Sequence, residues 1–326
     1  MTNECIVPLT PRGADPQVLS LVVPVYNEAD NISTFVMEVD RVLSQQVDSR
    51  IELVFVNDGS TDGTLAALLK LQRKDCRVRV VDLTRNFGKE HALSAGLAVA
   101  VGGVVVPIDV DLQDPPGLIL NMLERWRDGY DVVLARRANR DCDGWAKRTS
   151  AGWFYHIHNL IAEPLLPENV GDFRLMDRAV IEALKEFPES HRFMKGLFAW
   201  VGFRTTTVYY CREVRSSGLS KFSGWRLWNF AIEGITSFSI APLRVWSYIG
   251  AGVALLSFLY GCYIFLRVAF FGVDTPGFAS LFVAVTFLGG LQLLGIGVIG
   301  EYLGRTYIES KRRPVYLVRH IYEPET

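Results

Sequence analysis

Hydrophobic residues follow one pattern over the first two thirds of this chain and another near its end. From Leu19 onward, short β-branched runs are separated by polar turns and by segments of helical periodicity. Five of these runs predict strands, at Leu19–Val25, Ile51–Asn57, Val78–Leu83, Val104–Asp109 and Asp131–Ala135. The alternation of the two periods predicts an α/β fold.

Apolar residues at helical spacing fill two of the segments between these strands. One stripe consists of Ile32, Phe35, Val36, Val39 and Leu43, and the other of Ile119, Met122, Leu123 and Trp126. The second stripe follows Pro115 and Pro116, which suit a first helical turn. Strands that alternate with helices predict a mostly parallel sheet, and such sheets bind ligands beyond the carboxyl ends of their strands.

Two long uncharged runs, Val245–Leu266 and Thr275–Gly300, form the second pattern. Each exceeds the roughly 20 residues that a helix needs to cross a bilayer. Because the connection from Arg267 to Pro276 is short, we expect a transmembrane hairpin with both outer ends on one side. Two buried helices of a large soluble core are the alternative, although two such runs close together are rare in globular chains.

Basic and aromatic residues flank this predicted hairpin. Arg226 and Arg244 precede it, and Arg305 and the run Lys311–Arg313 follow it, so the positive-inside tendency predicts a cytoplasmic N-terminal region and tail. The segment Gly224–Ile240 has tryptophan and isoleucine at helical spacing. It predicts a helix on the membrane surface, with an ordinary amphipathic packing helix as the alternative.

Composition narrows the class of protein. Hydrophobic residues make up 49% of the 326 residues and charged residues 21%, and the mean hydropathy is +0.19, which excludes a disordered chain. The formal net charge of -1 gives no electrostatic case for nucleic-acid binding, so we expect no nucleic-acid partner. The five cysteines include no Cys-x-x-Cys pair, which argues against a structural zinc site and a disulfide framework.

Polar residues follow three of the predicted strands. These segments are Pro24–Glu28, Asn57–Ser60 and Asp109–Asp114. Because the carboxyl ends of parallel strands share one sheet edge, we expect the three acidic segments to converge there. Each also has a local explanation: Glu28 and Asp30 as caps of the next helix, Asp58 as an Asx-turn residue, and Asp114 as a helix N-cap.

Asp109 and Asp111 are harder to explain locally, since two carboxylates one residue apart at a strand end repel unless a cation lies between them. Hard oxygen ligands suit Mg²⁺ or Mn²⁺ held against substrate phosphates. The sequence has no Gly-x-Gly-x-x-Gly after the first strand and no Gly-Lys-Ser/Thr phosphate loop, so it predicts neither a dinucleotide site nor an NTPase loop. The pattern suits a nucleotide-sugar site, where a metal neutralises the departing diphosphate.

Six motifs occur in a fixed order, at Val23–Glu28, Val56–Ser60, Arg85–Glu90, Asp109–Pro116, Gly171–Leu175 and Gly218–Phe222. Together they resemble family 2 glycosyltransferases of the GT-A fold, and more closely the polyisoprenyl-phosphate glycosyltransferases related to dolichyl-phosphate mannose synthase and the bactoprenol glucosyltransferases. The resemblance covers nearly the whole chain. It implies an α/β fold with a GT-A-type, mostly parallel sheet flanked by helices, followed by an interfacial helix and a two-helix transmembrane hairpin.

The resemblance also implies residue roles. The nucleotide-sugar donor would contact Pro24, Tyr26, Glu28, Asp58, Lys89 and Asp109. A divalent cation, Mg²⁺ or Mn²⁺, would be held by Asp109, Asp111 and Gln113. The phosphate of a polyprenyl-phosphate acceptor would meet Arg136, Arg148, Arg215, Ser220 and Lys221, although surface arginines are often simply solvated. Val110 stands where alanine is more usual, and we expect its side chain to face away from the ion.

Asp111 and Asp172 are the predicted catalytic residues. A hydroxyl acceptor needs a general base, but a phosphomonoester, whose second pKa is about 6, is largely dianionic at neutral pH and is its own nucleophile. Asp172 stands where a base would stand, so it either accepts a proton or orients a sugar hydroxyl or Arg174.

The complete prediction is an inverting membrane glycosyltransferase that moves a hexose, with UDP-glucose as the leading donor, to undecaprenyl phosphate for modification of cell-envelope glycans. The predicted domains are a cytoplasmic catalytic domain (1–221), an interfacial segment (222–243), two transmembrane helices (244–301, with spans near 245–266 and 275–300) and a basic cytoplasmic tail (302–326). We expect a multi-pass protein of the inner membrane with the catalytic domain facing the cytoplasm. Family analogy suggests a homo-tetramer.

Other readings stay open at this point. The sugar could be of the mannose, N-acetylglucosamine or aminoarabinose type. A processive polysaccharide synthase would normally carry more spans and a Gln-x-x-Arg-Trp motif, neither of which this sequence has. A non-catalytic membrane subunit that binds or transports a nucleotide sugar is the alternative from another class, although the two spans offer few polar residues for a solute pathway.

Overall fold

The computed structural model describes residues 17–44, 47, 50–137, 170–187, 194–210, 241–271 and 277–324. Its strands are β1 (Val18–Val25), β2 (Arg50–Asn57), β3 (Val78–Leu83), β4 (Val104–Pro107), β5 (Val132–Arg137), β6 (Val170–Asp177), β7 (Thr205–Tyr210) and β8 (Val318–Tyr322). Its helices are α1 (Asn31–Leu43), α2 (Thr64–Gln72), α3 (Lys89–Val99), α4 (Leu118–Arg127), α5 (Arg178–Lys185), α6 (Met194–Trp200), α7 (Ala241–Phe271) and α8 (Phe278–Ser310).

The eight strands form one sheet in the order β7-β5-β6-β4-β1-β2-β3-β8. Pairs β1–β2, β1–β4, β2–β3 and β5–β7 are parallel, whereas β6 and β8 run antiparallel to their neighbours. The predicted mostly parallel sheet is therefore confirmed. The chain places β2 and β3 on one side of β1 and β4 on the other, so the strand order reverses between β1 and β4, where such sheets open a ligand crevice.

Helices cover both faces of the sheet, which explains why the central strands are mostly apolar on both faces. Along β1, Leu21 and Val23 pack into the cluster on one face, and Val22 packs into the cluster on the other. The predicted stripe of α1 is buried in full. The stripe of α4 is buried as well, and it packs against the same face as α1. These two predictions from periodicity are confirmed.

Several strand boundaries differ from the predictions by one or two residues, and two differences of element boundary affect the site edge. Strand β4 ends at Pro107, so Asp109 lies in the loop after the strand. Helix α4 begins at Leu118, and Pro115 and Pro116 lie in the preceding turn, where the Leu118 amide donates to the Pro115 carbonyl at 3.1 Å. The expectation that the two prolines form the first helical turn is wrong, because the Leu118 and Ile119 amides bond to carbonyls three residues back, at Pro115 and Pro116, as in a turn that precedes the helix.

The C-terminal tail adds a strand to the catalytic sheet. After α8, β8 pairs antiparallel with β3, with Val81 opposite Ile321. It covers the free edge of β3, which would otherwise expose unpaired backbone groups. The chain therefore leaves the sheet domain, forms two long helices and returns to the same sheet.

Both long apolar runs are helical, in α7 and α8. Large apolar side chains along them are exposed, including Leu256 at 68%, Phe270 at 77% and Leu293 at 70%. Among the described residues, one helix segment, Phe287–Ser310, is long and apolar enough to cross a membrane, and very little of it is buried. A helix from the core of a soluble protein would be buried, so the exposed side chains argue against that alternative.

The two long helices contact each other through a glycine. Gly295 is buried, and a β-carbon added there would lie 1.9 Å from Nε1 of Trp246. Only a residue without a side chain admits the indole at this place, which allows α7 and α8 to approach closely. The predicted interfacial segment lies almost entirely in residues 211–240, outside the described residues.

Candidate active site

The polar residues that follow the parallel strands meet at one edge of the sheet, as predicted. Pro24 near the end of β1, Lys89 at the start of α3, Asp109 after β4 and Asp172 in β6 line a small cleft together with Phe173. The first four come from four different segments of the chain. Because β6 is antiparallel to β4, its first residues lie beside the carboxyl end of β4. The cleft therefore opens at the reversal of strand order.

Lys89 lies between two carboxylates in this cleft. Its Nζ atom is 2.7 Å from Oδ1 of Asp109 and 3.0 Å from Oδ2 of Asp172. Burial opposes the charge on Lys89, but the two carboxylates outweigh it and raise the pKa of Lys89. Burial also raises the pKa of Asp109, and the ammonium opposes that rise. Lys89 thus places a positive charge from the chain itself beside the Asp109 carboxylate.

Asp172 is followed by a buried arginine. The guanidinium of Arg174 lies 4.0 Å from the centre of the Phe198 ring and donates to the carbonyl of Gly171 at 2.8 Å. Burial lowers the pKa of Arg174 to about 10. Arg174 thus fixes the backbone at the start of β6, while the Asp172 carboxylate contacts Lys89. A carboxylate that already faces an ammonium is a poor proton acceptor, which favours an orienting role over that of a general base.

The loop after β4 presents Asp111 and Gln113. Leu112 has a φ of 55°, and the Gln113 amide donates to Oδ1 of Asp111 at 3.1 Å, so the loop turns sharply here. Val110 is buried in the core, which agrees with the expectation that its side chain faces away from the site. Gln113 is buried, and within the described part of the chain its Nε2 atom has no hydrogen-bond partner.

These residues fit a divalent cation by their chemistry. Asp109, Asp111 and Gln113 offer carboxylate and amide oxygens, which are the ligands that Mg²⁺ and Mn²⁺ prefer. Among the described residues there is no group of three or more His, Cys, Asp or Glu side chains that could hold a metal by themselves. A cation bound here would share its coordination between one or two carboxylates and the phosphates of a ligand, as Mg²⁺ commonly does.

Asp58 follows β2 at the edge of the sheet that carries the cleft, and its carboxylate also holds a neighbouring loop in place. Its two carboxylate oxygens accept hydrogen bonds from the backbone amides of Phe87 at 2.7 Å and Gly88 at 2.9 Å. Burial raises the pKa of Asp58, and these amides oppose the rise. The Asx-turn explanation is therefore wrong for Asp58, because its carboxylate bonds to another loop. Gly59 has a φ of 64°, and a β-carbon there would lie 2.3 Å from the carbonyl carbon of Arg85.

The β1–α1 loop is held by the β2–α2 loop. The Asn27 amide donates to Oγ of Ser60 at 3.0 Å, and the Glu28 amide donates to Oγ1 of Thr64 at 2.9 Å. Tyr26 is 45% exposed and available for stacking. The Glu28 carboxylate accepts from the side chain of Asn31. Asp30 stands at the N-cap of α1 but makes no capping hydrogen bond, so the capping explanation is wrong for Asp30.

Asp114 is not a helix cap. Helix α4 has Gly117 at its N-cap, and Asp114 is buried and accepts a hydrogen bond from the hydroxyl of Tyr210 at the end of β7. Tyr210 also packs edge-on against Phe173, with ring centres 6.4 Å apart. The pair ties the loop after β4 to the far strand of the sheet. The N-cap prediction fails because the turn at Pro115 delays the start of the helix.

The predicted acceptor-site cations divide into two groups. Arg136 lies at the carboxyl end of β5, on the same sheet edge as the cleft, and its guanidinium is 5.9 Å from the centre of the Tyr209 ring. Arg148, Arg215, Ser220 and Lys221 lie outside the described residues.

Three features of this site are not among the predictions from the sequence. The ion pair of Lys89 with Asp172 joins residues far apart in the chain, and no local pattern indicates it. The hydrogen bond between Tyr210 and Asp114 also joins distant residues, so no local pattern indicates it either. The third feature is strand β8, which the sequence does indicate, since Val315–Val318 and Ile321–Tyr322 form a short run of strand-forming residues after the basic run.

Comparison with known proteins covers both parts of the chain. Residues 20–185 match glycosyl transferase family 2, and residues 241–306 match the GtrB C-terminal hairpin. The bactoprenol glucosyl transferase of Shigella phage SfV is 52% identical over 302 residues, which cover 93% of this chain and 98% of that protein. The prophage bactoprenol glucosyl transferase homolog of Escherichia coli K12 is 50% identical, with coverage of 93% and 99%.

Among solved structures, a mannosyltransferase from Pyrobaculum calidifontis in complex with GDP-Man and Mn²⁺ aligns with a TM-score of 0.47. Its sequence is 19% identical over 94% of this chain and 90% of that one.

Proposed function

The chain belongs to glycosyl transferase family 2, and we propose that it transfers glucose from UDP-glucose to the phosphate of undecaprenyl phosphate. The product would be a lipid-linked sugar used to modify cell-envelope glycans. The choice of acceptor is supported by the two bactoprenol glucosyl transferase relatives, which match this chain over nearly its whole length. The same relatives favour glucose over mannose, N-acetylglucosamine or aminoarabinose.

The pairing of β8 with β3 is the main structural support for a lipid acceptor, because it joins the long apolar helices to the sheet domain. The sheet domain holds the acidic cleft, and the helices α7 and α8 expose apolar side chains that suit a bilayer. Strand β8 begins shortly after α8 and pairs with β3, so the end of the hairpin and the cleft belong to one connected unit. A hydrophilic donor and a lipid acceptor would thus be served by the same chain.

The residue roles follow from position and chemistry. The donor would be bound by residues at or just after the ends of β1, β2 and β4, namely Pro24, Tyr26, Glu28, Asp58 and Asp109, and by Lys89 at the start of α3. Asp109, Asp111 and Gln113 would hold Mg²⁺ or Mn²⁺, which would supply positive charge for the departing diphosphate. Arg136, with Arg148, Arg215, Ser220 and Lys221 in the segments outside the described residues, would bind the acceptor phosphate.

The transfer step is a single in-line displacement in this proposal. An oxygen of the acceptor phosphate forms the new bond to the anomeric carbon as the bond from that carbon to the diphosphate breaks, and the electron pair leaves with the nucleoside diphosphate. The phosphate is already ionised, so no protein base is required. Asp172, held by Lys89, would orient the donor sugar, and Lys89 would also face the donor phosphates.

The membrane arrangement completes the proposal. Residues 1–221 would form the cytoplasmic catalytic domain and 222–243 the interfacial segment, with two spans within 244–301 and a tail at 302–326 that includes β8. At about 1.5 Å per residue, α7 and α8 are each longer than the roughly 30 Å hydrocarbon core. The location would be the inner membrane, and assembly into a homo-tetramer is the expectation from family analogy.

A transfer assay with the full-length protein tests this proposal. Membranes that contain the protein receive undecaprenyl phosphate, MgCl₂ or MnCl₂, and one radiolabelled nucleotide sugar from a panel that includes UDP-glucose, UDP-N-acetylglucosamine and GDP-mannose. We expect label in the lipid extract with UDP-glucose, and none after chelation by EDTA. Label from another donor would replace glucose by that sugar, and label from no donor would contradict the proposed reaction.

A further inference from the structure

Strand β8 contacts the sheet through an arginine–carboxylate pair at each of its ends. Near its start, Arg319 donates from Nη1 to Oδ2 of Asp82 at 3.4 Å and from Nη2 to the carbonyl of Thr84 at 2.9 Å. Just after its end, Glu323 accepts from Nε of Arg79 at 2.9 Å. The first pair lies at the carboxyl end of β3, on the edge that carries the cleft, and the second lies at the opposite edge.

Asp82 is a carboxylate buried at the end of β3. Its exposed fraction is 1%, and its Oδ1 atom accepts from Nδ2 of Asn57, its neighbour in register on β2, at 2.8 Å. A buried carboxylate is costly unless hydrogen bonds and a nearby positive charge compensate for its lost hydration. The guanidinium of Arg319 provides that charge from the last strand of the chain.

The contacts continue from Asn57 into the two loops of the donor site. The Ser60 amide donates to Oδ1 of Asn57 at 3.3 Å, and Oγ of Ser60 accepts from the Asn27 amide at 3.0 Å. The Thr61 amide donates to Oδ1 of Asn27 at 2.9 Å. Asn27 has a φ of 56°, a left-handed conformation that a residue with a side chain keeps only where its surroundings hold it.

We propose that Arg319 is a positioning residue for the nucleotide-binding loops. By compensating the charge of Asp82, it fixes the Nδ2 end of the Asn57 side chain, and the Oδ1 end of Asn57 in turn holds the Ser60 loop that keeps Asn27 in its left-handed conformation. Tyr26 and Glu28 flank Asn27, so their positions depend on the same contacts. The inference rests on the proposed function in that it takes these loops to bind the nucleotide. It makes the strand that follows the membrane helix part of the support of the donor site.

The two ends of β8 provide a matched pair of variants. Arg319→Gln removes the charge that faces Asp82, and Glu323→Gln weakens the pair at the other end of the same strand, away from the cleft. Arg319→Lys retains the charge. The full-length protein in detergent micelles is measured in three ways: UDP binding with MgCl₂ by calorimetry, hydrogen exchange of peptides covering residues 26–28 and 57–61, and thermal unfolding.

We expect Arg319→Gln to weaken UDP binding about tenfold, a factor equivalent to roughly 1.4 kcal/mol. The amides of Ser60 and Thr61 should exchange faster by a similar factor, because their acceptors lose their fixed positions. Arg319→Lys should recover most of both losses. Glu323→Gln should leave UDP binding and loop exchange unchanged, even where its unfolding temperature falls as much as that of Arg319→Gln.

Equal losses in Arg319→Gln and Glu323→Gln would overturn the inference, because they would show that docking of β8 as a whole is what matters. Unchanged exchange at residues 57–61 in Arg319→Gln would overturn it as well. A wild-type protein that binds no UDP would contradict the proposed donor instead, and the exchange comparison would still decide whether Arg319 fixes the loops.

Discussion

Apolar side chains are buried in the sheet domain and exposed on the two long helices α7 and α8. Leu21 and Phe55 are fully buried between the sheet and its helices, whereas Leu256 and Phe270 on α7 are 68% and 77% exposed. Polar groups show the reverse arrangement, since the sheet domain gathers Lys89, Asp109 and Asp172 at one edge while the apolar runs carry no charges. Both regions are rich in apolar residues, and the exposed fraction of those side chains is what distinguishes the sheet domain from the two long helices. Each region suits one partner, a polyanionic donor or a lipid.

The largest loss should come from removing a charge at the polar edge. Asp111→Ala should reduce transfer by roughly 10²- to 10³-fold, the range for loss of one electrostatic stabiliser in an active site. Initial rates with saturating Mg²⁺ measure this loss, and Asp128→Ala, at the exposed end of α4, is the matched control. Retention of activity in Asp111→Ala would remove this residue from the proposed metal site.

Next in size is a charge placed in the apolar region. Leu294 is 64% exposed at the middle of α8, and Leu294→Arg should cost about 3 kcal/mol of membrane insertion, or roughly 100-fold in partitioning. Ile308→Arg, near the end of the same helix, should cost little because a terminal arginine reaches the interface. Cell fractionation measures the share of each variant that is recovered in the membrane. Equal membrane fractions for wild type and Leu294→Arg would contradict a spanning role for α8.

Backbone geometry at the polar edge should give a smaller effect. Gly59→Ala places a β-carbon against the backbone of Arg85 at a positive φ, which costs on the order of 1–3 kcal/mol and should weaken UDP binding about tenfold. Gly63→Ala is the control, because among the described residues its β-carbon would have a single neighbour within 4 Å, the β-carbon of Ala29 at 4.0 Å. Calorimetry compares the two. If both variants bind UDP equally well, the close approach of these loops is not needed for binding.

The smallest predicted effect is a shift in pH dependence. Burial raises the pKa of Asp109, and Lys89 opposes that rise. Lys89→Gln should raise the pKa of Asp109 further, so its carboxylate becomes protonated, and activity falls, at a higher pH than in the wild type. The acid side of the pH–rate profile measures this shift, with Lys89→Arg as the charge-conserving control. An acid side that moves to lower pH would contradict the contact between Lys89 and Asp109.

Periodicity predicts the local elements of both regions. The buried stripe of α1 and the strands β1 to β3 can be predicted from the spacing of apolar residues. An element that is buried on one face has apolar residues at the period of that face, and a strand that is buried on both faces is a continuous apolar run. The helices α7 and α8 can be predicted from the length of the two uncharged apolar runs, since each run is long enough to cross a bilayer as a helix. The convergence of acidic segments follows from parallel topology, since carboxyl ends of parallel strands share an edge.

Long-range pairings could not be predicted in the same way. Whether Asp114 caps a helix or bonds to Tyr210 depends on where α4 begins, and Asp58 could have closed its own turn instead of binding Phe87 and Gly88. Lys89 bridges Asp109 and Asp172 only because β6 runs antiparallel beside β4. Such contacts are set by the packing of segments far apart in the chain.

The most direct test of sugar transfer to a lipid phosphate is a competition between two acceptor lipids. Wild-type protein in liposomes receives labelled UDP-glucose and Mg²⁺ together with undecaprenyl phosphate and undecaprenol, which have the same chain but differ in the phosphate. We expect label to enter only a lipid-linked glucosyl phosphate, and we expect release of UDP to require undecaprenyl phosphate. Equal labelling of undecaprenol, or UDP release that is indifferent to the lipid phosphate, would contradict it.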